Sequence, residues 1–471
     1  MLRGMLVHRF GPFEFDPASR RLSRGAKPVH LSQPQSTILT HLIARAGEVV
    51  TREALIEAAW GNANINDNSF NKAISDLRKA LGRGRGGLVF IETVHLQGYR
   101  FAAAVESAPA RKIDDPLDLQ LAPYRAFVQG QADLETLDRD RNQRANEAFE
   151  EVLREAPDYA PAHVGLAMAC GLAYEASTVD PDPDIAALKL GVEHAWTGCQ
   201  LAPASGEAWS ALAFVLGLSR QDTDAMAAAR KSVDLEPGNW RHWLRLAKVA
   251  WGEERLKAAD RVLVLCPGLA LAHWLKATVF VARGALDCAL EELLPGCAAQ
   301  DAQVKGSPFR AVGLHLLRGL VLAALGRLDD AMSALMQELE CDHGNQVYAR
   351  LCAANTWYAI GAVHLRQRRY DEANTAFSRA LAIAPSHASA TAAQRGEVPA
   401  SAGPVERVMA QAIVFARGNR HADAARVCRE ALLQAPPGPA GWILRVEPVV
   451  NPLERDAIWA ETLALIRVRA T

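Results

Sequence analysis

The stretch NSFNKAISDLRKALG, residues 68 to 82, gathers polar chemistry on one side of a helix. With Phe70 as the reference and about 100° per residue, Ile74, Leu77 and Leu81 return to within roughly 40° of it, one narrow apolar stripe. The opposite face carries Asn68, Lys72, Ser75 and Lys79, with Arg78 and Asn71 flanking it on one side and Asp76 on the other. Amide, hydroxyl and cationic groups in this array offer paired hydrogen bonds and attraction for anions. A solvated surface helix shows the same alternation, so the neighbouring sequence decides what this face meets.

The neighbours build a small domain around it. RFGPFEFDPASRRLSRGAKPVHLS alternates apolar and polar residues between turn residues, which predicts short antiparallel strands. LSQPQSTILTHLIARAG predicts a helix with Ser32 as N-cap, Gln35 closing a capping box and Gly47 at the C′ end. TREALIEAAWG predicts a second, short helix capped by Thr51 and stopped at Gly61. The helix of 68 to 82 follows, and GRGRGG then leads into LVFIETVHLQGYRFAAA, two alternating strands joined by a tight turn. Small strands, three helices with the last two in helix-turn-helix order, and a closing hairpin make a winged helix.

Over about residues 5 to 105, the elements VVTREALIEAAWG, NSFNKAISDLRKALG and FIETVHLQGYRF resemble the OmpR/PhoB-type winged-helix DNA-binding family in sequence, order and spacing. The resemblance implies that the third helix enters the major groove of double-stranded DNA while the wing touches the adjacent backbone or minor groove. It implies that Asn68, Lys72 and Ser75, with Asn71 beside them, face base edges, where amides and hydroxyls form paired contacts and Lys72 donates to guanine. Arg78 and Lys79 then meet phosphates, together with Thr51 or Arg52 at the start of the second helix. In the wing, Thr93, His95, Gln97 and Arg100 are the backbone or minor-groove candidates, and Tyr99 is half core. Asp76 departs from the family, in which many members carry a cation at this position; a carboxylate accepts from cytosine N4 or repels phosphate. The glycine run follows a helix and precedes a strand, the wrong order for a dinucleotide site, so it reads as a flexible turn with Arg83 and Arg85 near DNA.

Charge distribution agrees with a polyanion partner for this segment. The chain of 471 residues has a formal net charge of −1, yet residues 1 to 105 hold 14 Lys and Arg against 8 Asp and Glu. The front therefore carries about +6 and the remainder about −7. All eight cysteines lie behind residue 169, without a C-x-x-C pair or a zinc-like spacing to histidine, so they read as apolar free thiols of a reducing compartment. The N-terminus lacks an apolar leader region and no run approaches the roughly 18 apolar residues of a membrane span, so a soluble, cytoplasmic protein is expected, with no membrane partner.

Residues 106 to 116, ESAPARKIDDP, read as a linker. Beyond it, Trp209 and Trp243 lie 34 residues apart, as do Pro203 and Pro237, and NTWYAIGAVHLRQRRYDEANTAFSRALAIAP places Trp357, Ile360, Gly361, Ala373, Phe377, Ala380 and Pro385 at the spacing of a tetratricopeptide repeat. This resemblance covers about residues 120 to 440, with about eight degenerate helix pairs. The expected fold is therefore multidomain: a small α+β winged helix-turn-helix domain (1 to 105), a linker, an all-α tetratricopeptide-repeat solenoid (117 to 440) and a C-terminal capping helix (441 to 471). A solenoid of this kind offers a concave groove to a peptide, a partner domain or a small molecule. The residues one step past the small position of each first helix are Met168, Phe214, Lys248, Thr278, Leu320, Ala362 and Ile413. They are mostly apolar, which suits helix packing or an apolar ligand better than a clamp for a peptide carboxylate.

The sequence has no P-loop, no G-x-S-x-G, no H-E-x-x-H and no complete calcium loop, and CDHGN at 341 to 345 falls where a polar loop between repeats belongs. No catalytic residue, metal or cofactor is implied. With the winged helix almost at residue 1, no phosphoacceptor receiver precedes it, so the output domain of a phosphorelay is here expected under control of the repeats. The resemblance implies a one-component bacterial transcriptional regulator whose solenoid binds a protein partner or ligand, or self-associates. The other reading is an interaction scaffold whose winged helix binds protein instead of DNA.

Overall fold

The computed structural model describes residues 6–17, 20–25, 27–60, 67–82, 89–95, 97–109, 116–304, 307–452 and 457–471. It forms two compact units, Met1–Pro116 and Leu117–Thr471. The fold class is the expected one, a β-rich winged helix and an all-helical repeat unit.

In the first unit, β1 (Leu6–Phe10), β2 (Phe13–Asp16), β3 (Arg21–Arg24) and β4 (Lys27–Val29) form an antiparallel meander. Three helices follow: α1 (Gln33–Ala44), α2 (Arg52–Trp60) after the two-residue strand β5 (Val49–Val50), and α3 (Asp67–Leu81). The hairpin of β6 (Ile91–Val94) and β7 (Gly98–Phe101) pairs with β5 through β7. Alternation in β2 sends Phe13 and Phe15 inward, where Phe13 meets the edge of Phe90 at 5.5 Å between centroids and Phe10 meets Phe101 at 5.0 Å.

Local signals act as the sequence predicts at α1, where Ser32 Oγ accepts the Gln35 N–H and Gln35 Oε1 accepts the Ser32 N–H. At its other end the helix stops at Ala44 with Arg45 as the cap, so Gly47 is not the C′ residue. Gly47, at φ +87°, instead turns its N–H onto the Phe101 carbonyl at 2.9 Å and joins the helix exit to β7. Thr51 Oγ1 accepts the Ala54 N–H at 3.3 Å and caps α2; Gly61 lies outside the described residues.

The stretch read as a linker begins as a strand. Residues Glu106–Pro109 form β8, which pairs antiparallel with β1, Arg9 opposite Glu106 and Leu6 opposite Pro109. A ladder is built from backbone groups, and the free edge of β1 recruits a segment whose side chains carry no strand pattern. The first unit thus extends beyond residue 105, and residues 110–115 lie outside the described residues.

The second unit is a stack of helices from Pro116–Glu135 to Ala457–Arg469. Repeat chemistry is visible in its geometry. Trp209 Nε1 donates to the Pro203 carbonyl at 2.9 Å, and Trp243 Nε1 donates to the Pro237 carbonyl at 2.8 Å, one bond copied 34 residues on. In the pair Ala349–Arg366 and Tyr370–Ile383, a Cβ on Gly361 would stand 2.5 Å from the Phe377 ring, so only glycine lets the helices close. The same fit recurs between Gly165 and Phe149 at 2.6 Å and between Gly319 and Leu335 at 2.7 Å.

The concave side is bridged by backbone contacts between distant repeats. Arg139 N–H reaches the Asn345 carbonyl at 2.9 Å, Val347 N–H the Leu137 carbonyl at 2.8 Å, and Phe309 N–H the Glu135 carbonyl at 2.7 Å. Early and late repeats are thereby stitched across the coil. The tail does more than end the stack, because Arg283 Nε donates to the Ala470 carbonyl at 2.9 Å and Trp442 packs edge-on against Trp274 at 6.0 Å. A cavity of about 620 Å³ is left in the middle. The CDHGN turn holds its place through His343 Nε2, which donates to Glu338 Oε1 at 2.7 Å.

Candidate nucleic-acid interface

The apolar stripe of α3 does what its spacing requires: Phe70, Ile74, Leu77 and Leu81 are all buried in the core of the first unit. Its docking leaves Asn71, Lys72, Ser75 and Lys79 exposed on one face. The backbone of Asn68 belongs to the first turn of α3, and its side chain lies outside the described residues. Lys72 makes no ion pair with any described residue, whereas Lys79 holds Asp76 at 3.4 Å. Asp76, the carboxylate that departs from the family pattern, thus has Lys79 as a solvent-exposed neighbour.

Beside this face, α3 and the β6–β7 hairpin enclose a groove of about 530 Å³ lined by Asn71, Ser75, Arg78, Lys79 and Tyr99. Arg78 lines it and reaches the hairpin. Its Nε donates to the Ile91 carbonyl at 3.0 Å, one terminal nitrogen donates to Thr93 Oγ1 at 2.7 Å, and its guanidinium lies 5.9 Å from the Tyr99 ring centre. A residue expected to meet phosphate is therefore also the clasp between recognition helix and wing. Tyr99 is half-buried as expected and meets the edge of Phe70 at 5.5 Å.

The remaining candidates divide in the same way. His95 and Gln97 are exposed in the turn of the hairpin. Arg100 is exposed and paired with Glu92 at 2.7 Å, an ion pair of the kind that exchanges readily for a phosphate because it stabilises little in water. Thr51 is exposed but its hydroxyl caps α2, and the Arg52 guanidinium lies over the Phe70 ring at 5.2 Å. Arg83 and Arg85 lie outside the described residues. The clasp made by Arg78 was not legible in sequence, because its partners stand 13 and 15 residues away on another element.

An exposed polar helix face, backed by a fully buried stripe and flanked by a hairpin, is geometry suited to a groove about 12 Å wide. The family model "Transcriptional regulatory protein, C terminal" matches residues 26–101, and the model "Tetratricopeptide repeat" matches residues 354–387. The transcriptional regulator HilA of Salmonella typhimurium is 35% identical over 91 residues, which are 19% of this chain and 16% of HilA. The cholera toxin homolog transcriptional activator of Vibrio parahaemolyticus is 37% identical over 99 residues, 20% of this chain and 34% of that protein. Among solved structures, the DNA-binding domain of Escherichia coli CadC has 26% identity and a TM-score of 0.21, covering 22% of this chain and 99% of that domain. The chain spans between about a sixth and a third of the length of these two curated relatives. The front of the chain is an OmpR/PhoB-type winged-helix domain, and tetratricopeptide repeats follow it.

Proposed function

We propose that the protein is a cytoplasmic, sequence-specific DNA-binding transcriptional regulator, not an enzyme, whose repeat unit sets DNA docking by binding a ligand or partner or by self-association. The observation that carries this reading is the exposed face of Asn71, Lys72, Ser75 and Lys79, held against the wing by Arg78 within the segment that matches the regulatory family. In this reading α3 enters the major groove, Asn71, Lys72 and Ser75 meet base edges with Asn68 at the entry, and Lys79 meets phosphate. Arg78 orients the wing and offers its remaining donors to the backbone, while His95, Gln97 and Arg100 reach the neighbouring groove and Thr51 and Arg52 flank the backbone at the start of α2.

The test is a gel-shift titration of the full chain over a salt series. Phosphate neutralisation makes affinity fall steeply with salt, with a slope of about −0.9 per phosphate contact. Lys72→Ala should weaken binding to a selected site by about 1–3 kcal/mol and relax preference at the base it meets. A flat salt response and an indifferent Lys72→Ala variant would mean that this face binds something other than DNA. Unchanged DNA binding on deleting residues 117 to 471 would mean that the repeat unit does not set DNA docking.

A further inference from the structure

The cavity inside the repeat unit has an unusual polar inventory. Its walls are largely apolar, with Leu134, Leu172, Leu316, Leu320, Trp274 and Trp442 among them. Of the four arginine and lysine side chains that line it, Arg241 pairs with Glu135 and Arg310 donates to the Asp342 carbonyl, which leaves Arg245 and Lys248 on the helix Trp240–Val249. The Arg245 guanidinium stacks 4.1 Å from the centre of the Phe214 ring, and Lys248 Nζ lies 5.9 Å from Phe214 and 5.5 Å from Tyr348.

Neither cation has an ion-pair partner among the described residues. Arg245 Nε is buried without a hydrogen-bond partner, and the one bond of its guanidinium runs to the Met168 thioether at 3.7 Å, a weak acceptor. Arg255, on the next helix, shows what this fold does with an arginine it uses structurally. Its donors go to the carbonyls of Ala247, Lys248 and Ala250 and to Thr278 Oγ1. Arg245 is left without such acceptors.

Three carboxylates of the wall have their hydrogen-bond or ion-pair partners elsewhere. Glu135 pairs with Arg241, Glu175 accepts the Tyr348 hydroxyl, and Glu447 accepts the Tyr358 hydroxyl. The Glu207 carboxyl is pushed up by burial, with the charges of His242 and Arg241 acting against that and those of Glu236 and Glu135 with it. Burial also pushes the Arg245 guanidinium down, to about 10, and Lys248 down, while the Glu175 charge acts against both shifts. Both side chains stay partly accessible at the cavity wall, and an anion bound between them would supply the acceptors that the fold leaves out.

We propose that this cavity binds a small organic carboxylate with an apolar aromatic or acyl body. Its acid group is received between Arg245 and Lys248 beside the Phe214 ring, and its body lies against the leucines and the Trp274–Trp442 pair. The volume lies within the range of sites that enclose a small molecule. The inference rests on the sensory reading of the repeat unit and names the ligand class. The sequence singles out Lys248 on this surface but not Arg245, one turn earlier on the same helix.

The experiment is equilibrium dialysis of the full chain, without DNA, against benzoate, 2-naphthoate, indole-3-acetate and decanoate, with neutral 2-naphthamide as the matched control. At least one carboxylate is expected to saturate a single site per chain, and 2-naphthoate to bind about tenfold or more tightly than 2-naphthamide. Arg245→Met combined with Lys248→Met should abolish that discrimination while leaving amide binding in place. Arg245→Met alone should hold or raise the melting temperature of the free protein, an outcome that a merely structural arginine would not give. Should the double variant lose its helical circular dichroism, the single Arg245→Gln and Lys248→Gln variants take its place. No carboxylate bound below about 1 mM, or equal binding to wild type and variants, would overturn the proposal. Because no DNA is present, either result leaves the regulatory reading to be judged by the gel shift alone.

Discussion

Arg78 of the third helix donates to Thr93 of the wing at 2.7 Å, a polar tie between the two elements beside the Phe70–Tyr99 contact. The second bond of that guanidinium, to the Ile91 carbonyl, sets the start of the hairpin. Helix and hairpin are thereby held as one surface.

Arg78→Lys separates this role from charge. Lysine keeps the cation but cannot span both acceptors as the planar fork does. The variant should lose about 1–2 kcal/mol of unit stability and show faster hydrogen exchange in Ile91–Val94, with the salt slope of DNA binding nearly unchanged. Unaltered exchange in the hairpin would mean that Thr93 and Ile91 are held by the core alone.

Lys72→Ala should behave in the opposite way. The side chain is exposed and has no ion pair with a described residue, so thermal stability should change by less than about 0.5 kcal/mol while DNA affinity falls. Parallel melting and gel-shift measurements check the split.

Gly98 is fixed by close approach. At φ +139°, a Cβ there would lie 2.1 Å from the Val50 carbonyl oxygen, so Gly98→Ala must displace β7 from β5. A loss of about 2–4 kcal/mol is expected, read as raised exchange across α1, α2 and α3 in the full chain. Wild-type exchange in those helices would contradict the register.

Much of the winged helix was legible because its determinants are local. The stripe Phe70, Ile74, Leu77 and Leu81, the Ser32–Gln35 box and the Thr51 cap all lie within a few residues of what they control. Features that depend on distant partners were not. The strand Glu106–Pro109 is defined by β1 about a hundred positions earlier, and its Pro, Ala and Ser carry no alternation. Arg245 reads as an ordinary helix-surface cation until Phe309, Val347 and the tail close the coil around it. The 34-residue period announced the stack but not its closure.

Glu338 supplies a pH test of that closure. Its carboxylate accepts from His343, Gln300, Cys352 and the N–H groups of Gly313 and Leu316, within a buried site. Burial pushes the carboxyl up, but the bond from His343, the Gly313 N–H, the His343 charge and Gln300 outweigh it and hold it at about 2. A depressed folded value gives stability that is present above the ordinary value of 4.5 and is lost as pH falls toward 2. Glu338→Gln should destabilise the repeat unit at neutral pH, and its gap from wild type should narrow between those two values in urea melts. A constant gap would show that the carboxylate is not the linked group.

The most direct measurement of the central claim is selection of bound sequences from a random duplex pool by the full chain at near-physiological salt, repeated with Lys72→Ala. The account predicts enrichment of a short motif by the wild-type protein, with preference at one or two of its positions relaxed in the variant. Absence of enrichment by the wild-type protein, with binding insensitive to salt, would contradict it.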